Sequence, residues 1–483
     1  MLRYDFEQRN GKPLYEYLYE CLKRDILNGR LPAGSRLPSK RKLAKDNCIS
    51  IKTVMSAYEQ LLVEGYIFSE QKRGYFVEKH IEKTAEYQRT PVAYSAFYQE
   101  KSWYVDFTSN NIIYEKFPFT LWRKTSRDVL SEYDFELVRR AHFQGIPLLR
   151  EAIADYLYRT RGMVVSPECI IIGSGIEYLY GRLIKILPRN AVYAVENPGY
   201  RKIPMIFNDH GVSWTYTEMD EHGIDLKSLR ETGADIVHVS PEHHYPLGTV
   251  MSVSRRQELL DWASEKLGRY IIEDDYDCEF RYHTRMIPAL QSTDRNHRVI
   301  YMNSFSKTLA PAIRISYMVL PEKLMQRYLD NATFFSNTAS SFEQYTLADF
   351  IRNGYFERHI RRLKKHFHEH GELLMRIVRE AAGLPIKKIA GDDSGTHLLV
   401  YLDTNLTDTE LIWMAGQKGI HINCLSEFCG QNEEQYQHTM ILNYSELEED
   451  VLREAVSRLE EIFELIQPSV QDLPLIPLSN SGT

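Results

Sequence analysis

Three stretches of the chain carry side chains suited to chemistry on a small molecule. In "NSFSKTLAPAIR", Asn303–Arg314, Lys307 sits among the hydroxyls of Ser304 and Ser306, with Arg314 closing the stretch. A lysine becomes nucleophilic when burial or a nearby cation lowers its pKa. A guanidinium can hold a phosphate with paired donors. In "IIEDDYD" an apolar strand ends in acids, and the carboxyl ends of parallel strands are where ligands bind. Tyr276 lies two residues after Asp274, so in an extended segment both point to one side. In "IIIGSGIEYLYGRL" a strand, a Gly-Ser-Gly turn and a helix follow one another, and the amides of Gly175, Ile176 and Glu177 make an anion site.

Each feature has a plain alternative. Lys307 could be a surface lysine between a strand and a helix, and many strand–helix turns contain glycine. The acids around Asp274 could hold a metal, but no histidine or further carboxylate follows at ligand spacing, so no metal is assigned. Together the parts supply an amine, a carboxylate, a phenol and a phosphate cradle. Pyridoxal 5′-phosphate (PLP) demands that set: an amine to attach it, a carboxylate to keep its pyridine nitrogen protonated, and a phenol at its ring oxygen.

The elements that position these residues are legible as pattern. Apolar β-rich runs ("CIIIGSG", "AVYAVENP", "DIVHVSP", "RYIIEDDYD", "HRVIYMNSFSK") alternate with helical stretches, which predicts an α/β domain with a mostly parallel sheet and helices on both faces. "THLLVYLD" and "HTMILNYS" predict a smaller α+β subdomain. This region spans 104–468. The expected boundaries of the rest are 1–78 for an N-terminal module, 79–103 for a linker and 469–483 for a flexible tail. A flexible linker of that length spans roughly 25–30 Å.

The first 78 residues read as three helices and a hairpin. Leu14, Leu18, Cys21, Leu22 and Ile26 share a helical face that stops at Gly29. Ser39 caps a short helix burying Leu43 and Ala44. Ser50 caps a third helix with Val54, Tyr58 and Leu61 as its core stripe and Gly65 at its end. Two short strands flank "QKRG". That order describes a winged helix-turn-helix, whose second motif helix enters the major groove of DNA. Its start carries Ser50, Lys52 and Thr53; Arg36, Ser39, Lys40 and Arg41 surround the preceding helix start, and Lys72 and Arg73 tip the wing. Solvated charges on a protein-binding module are the alternative. Clustering at three DNA-facing positions favours double-stranded DNA.

Charge supports the division. Residues 1–80 hold 15 Lys and Arg against 10 Asp and Glu, a net +5, leaving −12 for the remainder. Hydrophobic content of 43% and charged content of 26% fit a globular chain. No run approaches a membrane span, the N-terminus lacks a secretory pattern, and the six cysteines form no CxxC pair, so a cytoplasmic protein with free thiols is expected.

"PLYEYL…AGSRLPS…IS..TV..AY..L..EGY….RGYFV" resembles the GntR-type DNA-binding domain over nearly its whole length. "YMNSFSKTLAPAIR" resembles the lysine motif of fold-type I aminotransferases. "VSPEHHYPLGTVMSVSRR" and "IIEDDYDCEFRY" resemble the versions in MocR-type regulators, the GntR branch that carries an aminotransferase-like domain. The resemblance covers about residues 12–78 and 105–465. It implies Lys307 as the Schiff-base lysine, Asp274 as the pyridine partner, Tyr276 at the ring oxygen, and Arg314, Ser304 and Ser306 at the phosphate. It adds Tyr200 of "ENPGY" as the residue stacked on the ring and His243 as one lining the cofactor; His244 is expected to be solvated at a strand end. It implies DNA contacts for Arg41, Ser50, Lys52, Thr53 and the wing, and a head-to-tail homodimer.

Departures from the family pattern matter. Ile51 stands where a base-reading arginine is frequent, and Lys40 where serine is usual. Ile441, in "MILNYS", occupies the place of the arginine that grips a substrate's α-carboxylate, and Ser316 replaces a glycine. Ordinary transamination is therefore not expected. The favoured reading is a PLP-dependent transcriptional regulator sensing PLP or an amine effector. The alternatives are an active PLP-dependent aminotransferase with an N-terminal DNA-binding-like module, and a winged helix used only for protein interaction.

Overall fold

The computed structural model describes residues 2–79, 102–109, 114–391, 393–445 and 447–464. The expected linker falls almost wholly outside the described residues, and the expected tail entirely so. The chain divides near residue 100 into two compact units. Among the described residues no helix is long and apolar enough to cross a membrane. The six cysteines are free thiols.

The first unit has helices α1 (Leu14–Leu27), α2 (Lys40–Asp46) and α3 (Ile51–Val63), then strands β1 (Ile67–Glu70) and β2 (Gly74–Val77). Its helix starts are set by two hydroxyls. Ser39 Oγ accepts the Lys42 N–H at 3.2 Å, and Ser50 Oγ accepts the Thr53 N–H at 3.0 Å. Gly29 and Gly65, both at positive φ, follow α1 and α3 and release the chain from the helix. Leu18, Leu22, Val54, Tyr58 and Leu61 are fully buried together. Leu14, expected on the same face, is only half-buried, because the core begins one turn further along α1. β1 and β2 pair antiparallel from Ile67↔Val77 to Glu70↔Gly74, with "QKR" as the tip.

In the second unit an eight-stranded sheet carries the strands in the spatial order Ile170–Gly173, Ser316–Val319, Val299–Ser304, Tyr270–Asp274, Ile236–Val239, Tyr193–Asn197, Trp214–Asp220 and Gly223–Ile224. The five from Val299–Ser304 to Trp214–Asp220 are parallel, and Ser316–Val319 runs antiparallel to both neighbours. Helices bury both faces, as the near-continuous apolar strands require. A second, four-stranded antiparallel sheet has His397–Leu402 paired with Thr439–Asn443 at its centre, Leu399 opposite Ile441. The 26-residue helix Tyr355–Glu380 packs on it through Leu363, Phe367, Leu374 and Val378.

The parallel strands set out the chemistry. Asp274 ends one strand and Ser304 ends its neighbour, with Met302 in register with Asp274. The chain after Asp274 and the chain from Phe305 to Lys307 therefore leave the sheet at the same edge, where the turn Gly173–Gly175 also emerges.

Candidate functional site

A cavity of about 240 Å³ opens at the carboxyl ends of these strands. Its wall includes Gly175, Ile176, Glu177, Tyr200, Asp274 and Tyr276. Ser304, Ser306, Lys307 and Arg314 also line it, so every cofactor-binding residue expected from sequence except His243 stands around this cavity. His243 does not line it. Its Nδ1 lies 3.2 Å from the Tyr276 hydroxyl and 2.8 Å from Asp277 Oδ2, which places it behind the phenol.

Lys307 Nζ stands over the Tyr276 ring, 4.5 Å from its centroid. Burial lowers the Lys307 pKa, while the charges of Asp277 and Asp274 oppose the shift. Burial works against the Asp277 carboxylate too, but the charge and hydrogen bond of His243, with Lys307, outweigh it and hold its pKa down. Asp274 Oδ2 lies 3.3 Å from His238 Nε2. A buried imidazole behind a half-buried carboxylate fixes the carboxylate's direction, in the manner of outer-shell partners at metal sites.

The end of the cavity at Gly175 and Arg314 is built from close approaches. Gly175 has φ +109°, and a Cβ there would fall 2.9 Å from Glu177 Oε2 and closer still to Arg314 Nη2. Only glycine satisfies both the backbone and the space. Arg314 Nη2 contacts Glu177 Oε2 at 3.2 Å and Ser174 O at 3.4 Å. Ser316 is fully buried and donates to Ser304 Oγ at 2.9 Å, and Ser304 in turn donates to Ser306 Oγ at 2.9 Å. The serine in place of glycine thus belongs to a chain of hydroxyls that fixes two cavity residues. For the PLP site expected from the sequence, a Gly175→Ala substitution should weaken PLP binding roughly tenfold or more while leaving the far-ultraviolet circular dichroism unchanged, since the clash is with the side chains of Arg314 and Glu177.

Four wall residues were not singled out in the sequence: Lys202, Ser240, Tyr245 and Pro311. Tyr245 packs edge-on against both Tyr200, at 5.9 Å, and Phe428, at 5.3 Å. Ile441, 2% exposed, joins Phe428, Leu399 and Tyr245 in one apolar cluster. Met440 and Leu442 point the other way, into the core of the small subdomain. His238 was missed as well; a lone polar residue in the apolar run "DIVHVSP" was its only signal.

His244 corrects an expectation. It is buried, not solvated, at 2% exposure, with Nε2 3.6 Å from Glu196 Oε2. Burial, reinforced by the charges of His243 and His238, pushes its pKa down to about 3. The strand end it occupies is covered by other elements, so both histidines of "PEHHYPLG" are packed.

Among the described residues one trio, Glu242, Asp275 and Cys278, has the spacing of metal ligands. Arg161 already lies among them. Its guanidinium pairs with Glu242, and with Asp275 at 2.7 Å, supplying the positive charge that the acids require.

On the first unit, Arg36, Arg41, Lys52 and Lys72 are exposed, while Thr53 and Lys40 are half-buried. Ser39 and Ser50 spend their oxygens on the helix caps, and Ser50 also bonds Thr53 Oγ1 at 2.8 Å. Lys40 Nζ sits 4.9 Å over the Tyr75 ring. Arg73 pairs with Glu70 and lies 5.6 Å from the Phe76 ring centroid. Ile51 is 50% exposed at the start of α3, an apolar contact surface where a base-reading arginine was the alternative.

Known proteins divide the chain in the same way. Residues 14–77 match the family described as bacterial regulatory proteins, gntR family, and residues 102–454 match aminotransferase class I and II. An uncharacterized HTH-type transcriptional regulator of Bacillus subtilis, YdeL, is 37% identical over 93% of this chain and 96% of its own length. The probable rhizopine catabolism regulatory protein MocR of Rhizobium meliloti is 29% identical over 95% of each chain. A kynurenine aminotransferase from Pyrococcus horikoshii superposes on 76% of this chain and 92% of its own with a TM-score of 0.66 at 23% identity, a likeness of fold. The aminotransferase class I and II family is PLP-dependent. The chain therefore belongs to the MocR-type transcriptional regulators, in which a gntR-family winged helix-turn-helix is joined to an aminotransferase class I and II domain.

Proposed function

We propose that the chain is a cytoplasmic regulator that binds PLP in the cavity around Lys307 and reports its presence to operator DNA through the winged helix. The observation that carries this reading is the gathering of Lys307, Asp274, Tyr276 and Arg314 around one cavity, with Ile441 in an apolar cluster that adjoins the cavity through Tyr245. The residues fit the cofactor. Gly175 leaves a space that a Cβ would fill, Arg314 and the helix amides form an anion site, and Asp274 is a half-buried acid suited to a protonated ring nitrogen.

When bound, PLP supplies an electrophilic carbon and an electron-accepting ring. The rest is the protein's work. Lys307 would provide the amine. Asp274, oriented by His238, would accept from the ring nitrogen. The Tyr276 hydroxyl, backed by His243, would serve the ring oxygen. Tyr200 would cover the ring. Arg314, Ser304, Ser306 and the amides of Gly175, Ile176 and Glu177 would hold the phosphate.

The apolar cluster around Ile441 offers no partner to an α-carboxylate, and a bidentate contact of that kind contributes a few kcal/mol. This favours PLP itself, or an amine without an α-carboxylate, as effector over an amino acid bound for turnover. A relative from Corynebacterium glutamicum, 25% identical over 93% of this chain, is named a pyridoxine biosynthesis regulator, which points the same way. Two half-sites and a head-to-tail homodimer complete the proposal.

The test is fluorescence anisotropy on DNA upstream of the protein's own coding region, with and without PLP, then with a panel of amines. Operator affinity should change at least about fivefold with PLP, a coupling of about 1 kcal/mol. Equal affinity under all these conditions would count against sensing. Multiple-turnover conversion of an amino acid with a keto acid would favour the enzyme instead.

A further inference from the structure

Glu177 carries a charge of the same sign as the phosphate proposed for its end of the cavity. It is the second residue of the helix Ile176–Ile186. Its carboxylate meets three groups: its own backbone N–H, Lys202 Nζ, and Arg314 Nη2 at 3.2 Å. It also overhangs the turn, since a Cβ on Gly175 would lie 2.9 Å from Glu177 Oε2. Burial raises the Glu177 pKa, but the Lys202 hydrogen bond, the backbone amide and the charges of Lys202 and Arg314 outweigh it, so the group is ionised at neutral pH.

An acid in the first helical turn is common and interacts well with the helix dipole. That accounts for the bond to its own amide. It does not account for Arg314, which reaches the same carboxylate from another segment and from a left-handed backbone, φ +53°. Such a conformation in a residue other than glycine is held by its surroundings. The guanidinium, the helix-start amide and the space over Gly175 are the features of a phosphate site, and Glu177 engages all three.

We propose that the Glu177 carboxylate is a built-in occupant of the phosphate site, displaced when the phosphate of PLP binds. This rests on the reading that PLP binds with its phosphate at Arg314. Lys202, which bonds Glu177 Oε1 while Arg314 meets Oε2, gives the displaced carboxylate a remaining partner. The exchange itself involves no covalent bond; one anion replaces another on shared donors. The effect is to lower affinity for the phosphorylated cofactor, so that occupancy follows its concentration. A tightly held cofactor would saturate and report nothing.

The size of the effect follows from exposure. Arg314 and Glu177 are 54% and 36% exposed, and pairs of that kind are weak in water. Glu177→Gln keeps the shape and removes the charge. In the full-length protein, titrated by its visible absorption band with Lys307→Ala as the blank for non-specific attachment, E177Q should bind PLP roughly three- to tenfold more tightly than wild type. Its preference for PLP over pyridoxal, which lacks the phosphate, should rise by the same factor, and the gain should shrink as salt is added. PLP affinity unchanged or weakened in E177Q, beside a normal wild-type band, would overturn the inference alone and make Glu177 an orienting partner for Arg314. A wild type with no band would overturn the underlying PLP reading and the inference with it.

Discussion

Replacing Lys307 with alanine should remove the visible absorption band that PLP gives with the wild-type protein and leave nothing for borohydride to trap. Lys307 stands 4.5 Å over the Tyr276 ring at the floor of the cavity, next to the carboxylates of Asp274 and Asp277. Alanine leaves Asp274, Arg314 and the helix amides in place, so a weaker, non-covalent affinity should persist. The loss should be at least roughly a hundredfold, about 2.7 kcal/mol. The pH dependence has a definite sign. Attachment requires the neutral amine, and burial lowers the Lys307 pKa from the ordinary 10.5. The wild-type rate should therefore rise with pH and level off at a lower pH than for a lysine in solution. Reversible uptake of PLP by the wild type without a band would show that Lys307 is not the anchor.

Ile441 limits the chemistry open to an attached cofactor. Met440 and Leu442 face the small-subdomain core, and Ile441 faces Phe428, Leu399 and Tyr245, beside the cavity wall. Strand alternation thus turns it away from that core and toward Tyr245, and its side chain offers no cation to a carboxylate. In the proposed reading, a pocket that keeps Lys307, Asp274 and Arg314 but has isoleucine at 441 is better suited to binding than to turnover.

What could be read from the sequence, and what could not, divides along a physical line. Ser39, Ser50 and Gly65 act within a few residues of themselves, and local pattern placed all three. Asp274 and Lys307 belong to strand ends, which hydrophobic runs mark. Tyr276 followed from alternation. The missed features are long-range. His238 reaches Asp274 across two neighbouring strands, and the polar residue alone does not name its partner. His244 was expected in solvent because the elements that cover its strand end lie far away in the chain. Arg161 enters the acids of "IIEDDYD" from a helix that no motif links to them. Glu177 was assigned through its amide; that its carboxylate folds back over the turn depends on Arg314 and Lys202, which only the fold brings there.

The same contrast between free and engaged groups decides the second large effect, on DNA. Of the basic residues at the winged helix, Arg73 is paired with Glu70, and Lys40 lies over Tyr75. Ser39 and Ser50 hold helix starts, so replacing them costs about 1 kcal/mol of stability each and confounds any binding measurement. Arg41 and Lys52 are exposed, and neither pairs with an acid among the described residues. Arg41 lies in the first turn of α2 and Lys52 in the first turn of α3, the two helix starts that face DNA in a helix-turn-helix. Their charges are available without breaking another contact. The double variant Arg41→Ala, Lys52→Ala should lose roughly 30- to 1000-fold in operator affinity, about 1–2 kcal/mol for each cation. If both meet phosphates, the slope of log affinity against log salt should fall by about 2; if Lys52 reads a base instead, the slope should fall by about 1 and discrimination at that base should relax. Circular dichroism should be unchanged, because neither side chain contributes to the core. A wild-type affinity that does not respond to salt would remove DNA from the proposal, since displacement of counterions accompanies any phosphate contact and does not depend on knowing the operator.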